Sequence, residues 1–258
     1  ERAGIKAIYL SGGGVANASY GLPDLAMTSR EDVLEDVRRI RSASELPLLV
    51  DIDTGWGSAL AISRSIKEMI SAGASGVHIE DQVSEKRCGH RPNKEIVSCE
   101  EMVDRIKAAK DAQSDDNFLL MARTDAFAKG GLQEVIDRSN AFIEAGAGAI
   151  FPEAISTLKD YEEISKNVSR PILANITEFG LTPLFSHHEL AKAGVKIVLH
   201  PLSAFRAMSK AAEKVYATLA SGGDHEGLLD KMQTRDELYE VLDYHMYEEK
   251  IDKLFEKN

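Results

Sequence analysis

A cysteine surrounded by cations is the first feature of this sequence that could do chemistry. Residues 86–94 read KRCGHRPNK, so Cys88 lies close to Lys86, Arg87 and Arg91, and Gly89 leaves it accessible. Neighbouring cations favour the thiolate form of a thiol, which suits proton transfer or nucleophilic attack. The alternative is a small buried apolar residue, the usual role of a lone cysteine. The polar surroundings favour a functional thiol.

The second cysteine, Cys99, stands in the segment IVSCEE at residues 96–101. That segment predicts the start of a helix, and we expect Cys99 to have a packing role only. Two cysteines are too few for a disulfide framework, so both are predicted to be free thiols.

The acidic residues predict a Mg²⁺ site. Asp51 and Asp53 are two residues apart on a predicted strand, so their side chains project from the same face. Glu80 and Asp81 end the neighbouring strand and add further oxygen ligands. Oxygen ligands with room for water suit Mg²⁺, whereas Zn²⁺ prefers histidine and cysteine. The alternative is that these aspartates cap helices in salt bridges or lie in surface loops.

Groups suited to binding anions accompany the acidic residues. Residues 11–14 read SGGG and offer backbone N–H groups that can cradle a carboxylate or phosphate, although a flexible turn would read the same. Arg123 and Arg206 could each make bidentate contacts to a carboxylate. Arg206 could equally cap the helix that follows Ser203.

The elements that must position these residues alternate between strand and helix. Apolar runs predict seven strands, at residues 5–10, 48–53, 76–81, 118–123, 148–153, 171–176 and 195–200. Amphipathic stretches separate them, which indicates a parallel sheet covered by helices on both faces. The chain is therefore predicted to be an α/β protein, a (β/α)8 TIM-type barrel rather than an open doubly wound sheet. In such a barrel the polar residues that end the strands converge at one rim.

Glycines mark the joins between elements. Gly4, Gly73, Gly146 and Gly194 each follow an alanine and precede a predicted strand. A glycine there can take the left-handed conformation that ends a helix. The connection from residue 81 to the helix near residue 100 is longer than usual for this fold, which predicts a mobile lid over the site.

The predicted organisation is a single barrel domain over residues 1–258, in which residues 204–258 form a helical C-terminal extension. Helices are predicted at 204–219 and 228–255, separated by Gly222 and Gly223. The last helix could pack on its own barrel or on a neighbouring subunit. The chain opens on what reads as the end of a helix, so we expect the first barrel strand to be missing from this chain.

Charge and hydropathy exclude several classes of partner. The formal net charge of −11 would repel nucleic acid and anionic membranes. No apolar run approaches the roughly 18 residues that a membrane span requires. The first residues also lack the pattern of a signal peptide. We expect a soluble cytoplasmic protein that binds a small molecule.

These motifs together resemble the isocitrate lyase and phosphoenolpyruvate mutase superfamily over essentially the whole chain. The resemblance is carried by YLSGGG (9–14), DIDTGWG (51–57), HIEDQ (78–82), KRCGHRPNK (86–94), MARTD (121–125), FPEA (151–154), NITEFG (175–180) and PLSAFR (201–206). Residues 86–94 are the most specific, because isocitrate lyases resemble KKCGH there without the RPN that follows here, and the mutases lack the cysteine.

The resemblance implies Mg²⁺-dependent retro-aldol cleavage of 2-methylisocitrate to pyruvate and succinate, a step of propionate breakdown in the methylcitrate cycle. It implies that Asp51 and Asp53 hold the metal, with Glu80 behind them, and that Cys88 protonates the succinate carbanion. The implied substrate contacts are Ser11, Gly12, Gly13, Cys88, Gly89, Arg123, Glu153, Asn175, Ile176, Thr177, Arg206 and Arg235. Phe151 and Leu199 would form the pocket for the extra methyl group. Either Tyr9 or a water would take the hydroxyl proton.

The resemblance also implies a homotetramer whose subunits exchange their C-terminal helices. Two positions depart from the family pattern, with Trp56 where phenylalanine or tyrosine is commoner and His200 where tyrosine is. The alternatives are a related enzyme acting on isocitrate or oxaloacetate, and a non-catalytic barrel that binds a dicarboxylate.

Overall fold

The computed structural model describes residues 1–224 and 226–255. The chain divides into two compact units, Glu1–Ser203 and Ala204–Asn258. The first unit contains the strands and the helices between them, and the second is helical.

Parallel strands in chain order build the first unit. They are β1 (Ile8–Leu10), β2 (Leu48–Asp51), β3 (Gly76–Glu80), β4 (Leu119–Thr124), β5 (Ala149–Pro152), β6 (Leu173–Asn175) and β7 (Ile197–Leu199). Strands β1 to β5 form one sheet, β6 pairs with β7, and a bridge from Ile150 to Ile172 connects the two sheets. Parallel neighbours joined by crossover helices are the arrangement of an α/β barrel. The predicted fold class is confirmed, and all seven predicted strands are present, most of them shorter than predicted.

Helices cover these strands. The helices of the first unit are α1 (Gly12–Gly14), α2 (Arg30–Ala43), α3 (Ala59–Ser71), α4 (Cys99–Ala112), α5 (Phe127–Glu144), α6 (Leu158–Asn167) and α7 (His187–Lys192), with a π-helical turn at Val15–Ser19. Side chains cap several of their starts: Ser29 accepts from the backbone of Asp32 and Ser98 accepts from that of Glu101. Cys99 is the first residue of α4, as predicted.

Three of the four glycine joins end helices as predicted, whereas Gly4 follows a turn at Arg2 and Ala3. Gly73, Gly146 and Gly194 have φ angles of 94°, 116° and 90°. At Gly73, for example, its own N–H donates to the carbonyl of Ile70 and the next N–H donates to that of Met69, both at 3.0 Å. Glycine is favoured because a Cβ destabilises this left-handed conformation.

Two apolar clusters lie on opposite faces of the strands. Residues such as Ile66 of α3 and Ile79 of β3 pack in the larger cluster between helices and strands. The smaller cluster comprises Met121, Ala149, Phe151, Leu173 and Leu199. Because successive strand residues face opposite sides, the smaller cluster fills the barrel interior. The interior side chains therefore support the polar residues that end the same strands.

The second unit contains most of α8 (Ser203–Ala220), then a 3₁₀ turn (Glu226–Lys231), α9 (Arg235–Val241) and α10 (Tyr244–Phe255). The break predicted near Gly222 is confirmed, since Gly222 has a φ of 77°. The single helix predicted over residues 228–255 is wrong. Thr234 and Glu237 form a capping box that starts α9. Asp243, with a φ of 51°, breaks the helical conformation before α10. Within residues 1–224 and 226–255, no helix is long and apolar enough to cross a membrane.

Candidate active site

The carboxylate of Asp51 is fixed at the carboxyl end of β2. Its Oδ2 accepts from the backbone N–H of Gly12 at 3.0 Å and from the Tyr9 hydroxyl at 3.4 Å. Its Oδ1 accepts from the backbone N–H of Asp53 at 3.0 Å. A side chain at position 12 would crowd this contact, because a Cβ there would lie 3.0 Å from Asp51 Oδ2. The lack of a side chain at Gly12 thus lets the backbone of the glycine-rich stretch bind Asp51 directly.

Asp53 faces a cation from the long connection between β3 and α4. Lys86 Nζ lies 2.7 Å from Asp53 Oδ1 and also pairs with Asp24, and the Lys86 side chain is only 5% exposed. Asp24 belongs to the segment between β1 and α2, so this buried lysine joins three separate parts of the chain. Burial alone would lower the pKa of Lys86, but Asp53 and Asp51 raise it above its ordinary value. Lys86 therefore remains a cation.

The residues at this point suit Mg²⁺. Asp51 and Asp53 present carboxylate oxygens, and the Lys86 ammonium already supplies positive charge at Asp53. Among the described residues, no group of three or more histidine, cysteine, aspartate or glutamate side chains is arranged to hold a metal ion. Mg²⁺ commonly binds through one or two carboxylates and keeps several waters, so the pair fits this ion. Asp51 and Asp53 would hold it, with the other positions left to water or substrate.

The two aspartates have opposite pKa shifts. Burial and the neighbouring Asp51 carboxylate raise the pKa of Asp53 to about 6. Burial would also raise the pKa of Asp51, but the cations Lys86 and Arg123 and the N–H of Asp53 help to lower it to about 2. Two close carboxylates divide in this way because repulsion penalises charge on both. A bound cation would remove that penalty.

Tyr9 and His78 lie beside Asp51. The Tyr9 hydroxyl is 2.8 Å from His78 Nε2, and the two rings stack with centroids 5.7 Å apart. Burial lowers the pKa of His78 to about 4, so the ring is neutral near pH 7. Burial, followed by the Asp51 charge, raises the pKa of Tyr9 well above its ordinary value. Tyr9 is therefore a hydrogen-bond donor in this arrangement.

Arg123 is the centre of a buried ion-pair network at the end of β4. Its guanidinium reaches Asp125 at 2.9 Å, Glu80 at 3.2 Å and Glu153 at 3.3 Å. It also lies over the Phe151 ring, 5.1 Å from the centroid. Burial opposes the charge, but these carboxylates raise the pKa of Arg123 further above its ordinary value. The network keeps a fixed cation at the rim, where a substrate carboxylate could bind.

The Asp81 carboxylate is occupied by other partners, which corrects its predicted role as an oxygen ligand. It accepts from the Thr124 hydroxyl at 2.7 Å and from the backbone N–H of Asp125 at 2.9 Å, and it pairs with Arg138 at 3.2 Å. Adjacent strand residues face opposite sides, so Glu80 points toward Arg123 while Asp81 points away from it. Asp81 braces β4 and α5.

The connection predicted to be a lid runs from Asp81 to the start of α4 at Cys99, and its residues 83–95 are called the lid below. Its two ends pair through an antiparallel bridge between Gln82 and Ile96. At its tip Gly89 lies against the site, because a Cβ there would be 2.4 Å from Glu153 Oε2 and 2.6 Å from an Arg123 nitrogen. Lys94 bonds to both the Gly89 carbonyl and Asp125. The lid therefore rests on the carboxylates and the arginine at the strand ends.

Cys88 is a half-buried free thiol next to Gly89. Lys86, expected from the sequence to activate the thiol, instead pairs with Asp24 and Asp53. Cys88 directly precedes Gly89, the residue that lies against Arg123 and Glu153.

The other predicted substrate contacts of the first unit also reach this rim. Ser11 caps α1 by accepting from the N–H of Gly14 at 3.2 Å. A Cβ at Gly13 would lie 3.1 Å from Asp24 Oδ2. The Asn175 amide lies 3.3 Å from Glu153 Oε2 and 3.4 Å from His90 Nε2.

The remaining predicted contacts differ in position. Thr177 is buried next to Ile176, whose side chain packs in the larger apolar cluster, so only its backbone can offer a polar group. Arg206 lies on α8 and Arg235 begins α9. Both arginines are in the second unit.

Sequence reasoning missed four residues that position the site. They are Asp24, His78, Gln82 and Lys94, and their contacts join residues distant in the sequence or on opposite ends of the lid. The alternation of β3 gave a signal for His78, which shares its face with Glu80. Asp24 and Lys94 carried no comparable signal, because loop conformation decides their contacts.

Comparison with known proteins gives consistent results over most of the chain. The family described as phosphoenolpyruvate phosphomutase matches residues 1–220. The 2-methylisocitrate lyase of Vibrio cholerae is 61% identical over 258 residues, which cover 98% of this chain and 84% of the relative. That of Escherichia coli is 58% identical over 259 residues, which cover 100% of this chain and 88% of the relative.

Solved structures show the same fold. A 2,3-dimethylmalate lyase superposes with a TM-score of 0.89 at 32% identity, covering 98% of this chain and 84% of that chain. A phosphonopyruvate hydrolase in complex with oxalate and Mg²⁺ superposes with a TM-score of 0.85 at 29% identity, covering 99% of this chain and 89% of that chain.

Proposed function

This chain belongs to the phosphoenolpyruvate phosphomutase family, and we propose that it is a carbon–carbon lyase that cleaves 2-methylisocitrate to pyruvate and succinate. The observation that carries the proposal is the position of the lid, which brings Gly89, and with it Cys88, to Arg123 and Glu153. The relatives at 58% and 61% identity bear the name of this activity. We also propose that this reaction is a step of propionate breakdown in the methylcitrate cycle and that the protein is cytoplasmic.

The chain's own residues divide the work of binding. Asp51 and Asp53 would hold Mg²⁺, which when bound would stabilise negative charge developing on the substrate hydroxyl oxygen. Arg123 and the Asn175 amide orient a substrate carboxylate at the rim. The proposed contacts of the first unit are completed by Ser11, Gly12, Gly13, Gly89, Glu153, Ile176 and Thr177, and those of the second unit are Arg206 and Arg235.

Cleavage of the carbon–carbon bond of the substrate needs one base and one acid. A base takes the substrate hydroxyl proton, the carbon–carbon bond breaks, and its electron pair remains on the succinate carbon. The Cys88 thiol gives its proton to that carbon and is left as a thiolate. Because Tyr9 is a donor in this arrangement, a water near the aspartate pair is the better candidate for the base.

Selectivity for the extra methyl group is assigned to Phe151 and Leu199. Both are buried in the interior cluster beneath the strand ends. An apolar pocket discriminates by about 1–3 kcal/mol per methylene, so slow turnover of isocitrate is expected.

The direct test measures products from 2-methylisocitrate and from isocitrate side by side, with Mg²⁺ present. Pyruvate and succinate should appear in equal amounts from 2-methylisocitrate, with the higher catalytic efficiency on that substrate. An efficiency at least as high on isocitrate would contradict the proposed substrate, and no cleavage of either would contradict lyase activity.

We further propose a single barrel domain extended by residues 204–258, assembled as a homotetramer that exchanges its C-terminal helices. The support is exposed apolar surface in this helical unit, where Tyr216, Leu254 and Phe255 are 73%, 68% and 76% exposed. Exposed apolar patches are typical of interfaces, and Leu254 and Phe255 are adjacent on α10. Light scattering on the purified protein should give four times the mass of one chain, and a monomer would contradict the assembly.

A further inference from the structure

We propose that Gln82 is a positioning residue that fixes the lid backbone immediately before Cys88. Its Oε1 accepts from the backbone N–H of Arg87 at 3.0 Å, and its Nε2 donates to the Arg87 carbonyl at 2.9 Å. The same Nε2 donates to Glu80 Oε1 at 2.9 Å. The side chain is buried, with 1% of the residue exposed. One amide thus binds both polar groups of a lid residue and a carboxylate of β3.

The chemistry of these contacts requires glutamine. An amide group has one acceptor oxygen and two N–H donors, and Gln82 uses both donors and the oxygen here. Glutamate would keep the acceptor for Arg87 but lose both donations and place a second carboxylate beside Glu80. Asparagine is one methylene shorter, and methionine matches the shape without the hydrogen bonds. With both donors engaged, Gln82 acts through Arg87 and Glu80 rather than on the substrate.

The backbone of Gln82 is fixed from the other side. Its carbonyl accepts from Arg105 at 2.9 Å, and the same Arg105 nitrogen reaches the Glu80 carbonyl at 3.1 Å. Gln82 is therefore attached to β3 and α4, while its amide extends to the lid. The amide is a rigid link between the strand that supplies Glu80 and the lid residue that precedes the thiol.

The thiol is held on both sides as a result. Arg87 is bound by Gln82, and the Gly89 carbonyl is bound by Lys94. Cys88 lies between these two anchors, and Glu80 continues the connection to Arg123. The positioning role rests on the proposed function in one respect only, that Cys88 supplies the proton. The geometry that Gln82 imposes can be measured without any turnover.

The test compares Gln82→Met and Gln82→Glu with a matched control, Gln113→Met. Gln113 also donates to two backbone carbonyls, those of Asp115 and Phe118 at 2.7 and 3.0 Å, but at the loop before β4. Iodoacetamide labelling of the full chain, followed by peptide mass spectrometry, gives the Cys88 rate with Cys99 as an internal reference. Amide hydrogen exchange reports the Arg87 N–H.

Gln82→Met should raise both the Cys88 labelling rate and the Arg87 exchange rate by about tenfold, as expected for losing roughly 1.4 kcal/mol of hydrogen bonding. Cys99 labelling should not change, and Gln113→Met should leave Cys88 unchanged. Gln82→Glu should keep the Arg87 N–H protected while Cys88 labelling rises, because only the acceptor remains. In turnover, kcat should fall in Gln82→Met with little change in KM.

Unchanged Cys88 labelling and Arg87 exchange in a folded Gln82→Met variant would overturn the proposal. If circular dichroism shows that Gln82→Met is unfolded, Gln82→Glu decides, and unchanged Cys88 labelling there overturns it as well. Loss of kcat with unchanged labelling also counts against it. If labelling and exchange change as expected but the wild-type chain cleaves neither 2-methylisocitrate nor isocitrate, the positioning role is upheld and the proposed function is overturned.

Discussion

Lys86 Nζ lies 2.7 Å from Asp53 Oδ1, so a lid residue neutralises one of the two carboxylates assigned to the metal. The contact links the lid to the carboxyl end of β2, and Asp24 completes it from the far side. Lid position and the proposed Mg²⁺ binding would therefore share one buried carboxylate.

Replacing Lys86 with methionine should destabilise the protein by about 3–5 kcal/mol, because Asp53 would be left as a buried charge without its partner. Mg²⁺ should restore part of this loss by supplying the missing charge. Urea unfolding with and without Mg²⁺ measures both effects. Lys107→Met is the control, since Lys107 pairs with Asp104 on the surface at 3.9 Å. Equal Mg²⁺ stabilisation of wild type and Lys86→Met would contradict the link.

Gly89→Ala should lower kcat/KM by about 100-fold, because the lid could no longer rest on Glu153 and Arg123. The melting temperature should also fall, because the new Cβ would crowd the buried Glu153 carboxylate and the Arg123 guanidinium. Gly227→Ala is the control, because a Cβ there meets nothing within 4 Å. Unchanged kinetics in Gly89→Ala would show that the lid leaves this position during turnover.

Cys88→Ser should abolish most cleavage, with a loss of about 100-fold or more in kcat, because a serine hydroxyl is a far weaker acid than a thiol. The variant should fold and should still bind Mg²⁺ and succinate, which calorimetry can test. Cys99→Ser at the start of α4 should retain turnover. Full activity in Cys88→Ser would remove the proton-donor role.

Asp53→Asn and Asp81→Asn should separate metal binding from structure. Asp53→Asn should weaken Mg²⁺ binding in a calorimetric titration, because a carboxylate ligand is lost. Asp81→Asn should leave Mg²⁺ affinity unchanged but lower stability by about 1–3 kcal/mol, because its charged bonds to Thr124 and Arg138 weaken. Weakened Mg²⁺ binding in Asp81→Asn would restore Asp81 to the metal site.

The predictions from the sequence that were wrong share a cause in the geometry of the chain. The prediction that Asp81 is an oxygen ligand was wrong because adjacent strand residues face opposite sides. This rule could already have been applied to the sequence. The helix over residues 228–255 was wrong because apolar spacing outweighed the local capping signal at Thr234 and Glu237. Lys86 was expected to serve Cys88, yet the partners it takes are carboxylates from distant segments.

The sequence by itself determined the strands, the glycine joins and the placement of Asp51 and Asp53 at a strand end, because these depend on side-chain periodicity and local backbone preference. Only the tertiary structure decided that Lys86 reaches Asp53 and Asp24, that Gly89 rests on Glu153, and that the Gln82 amide holds Arg87. Each of these contacts depends on the path of a long lid across the barrel rim. No sequence period fixes such a path, because buried charge pairing and hydrogen-bond satisfaction between distant segments select it.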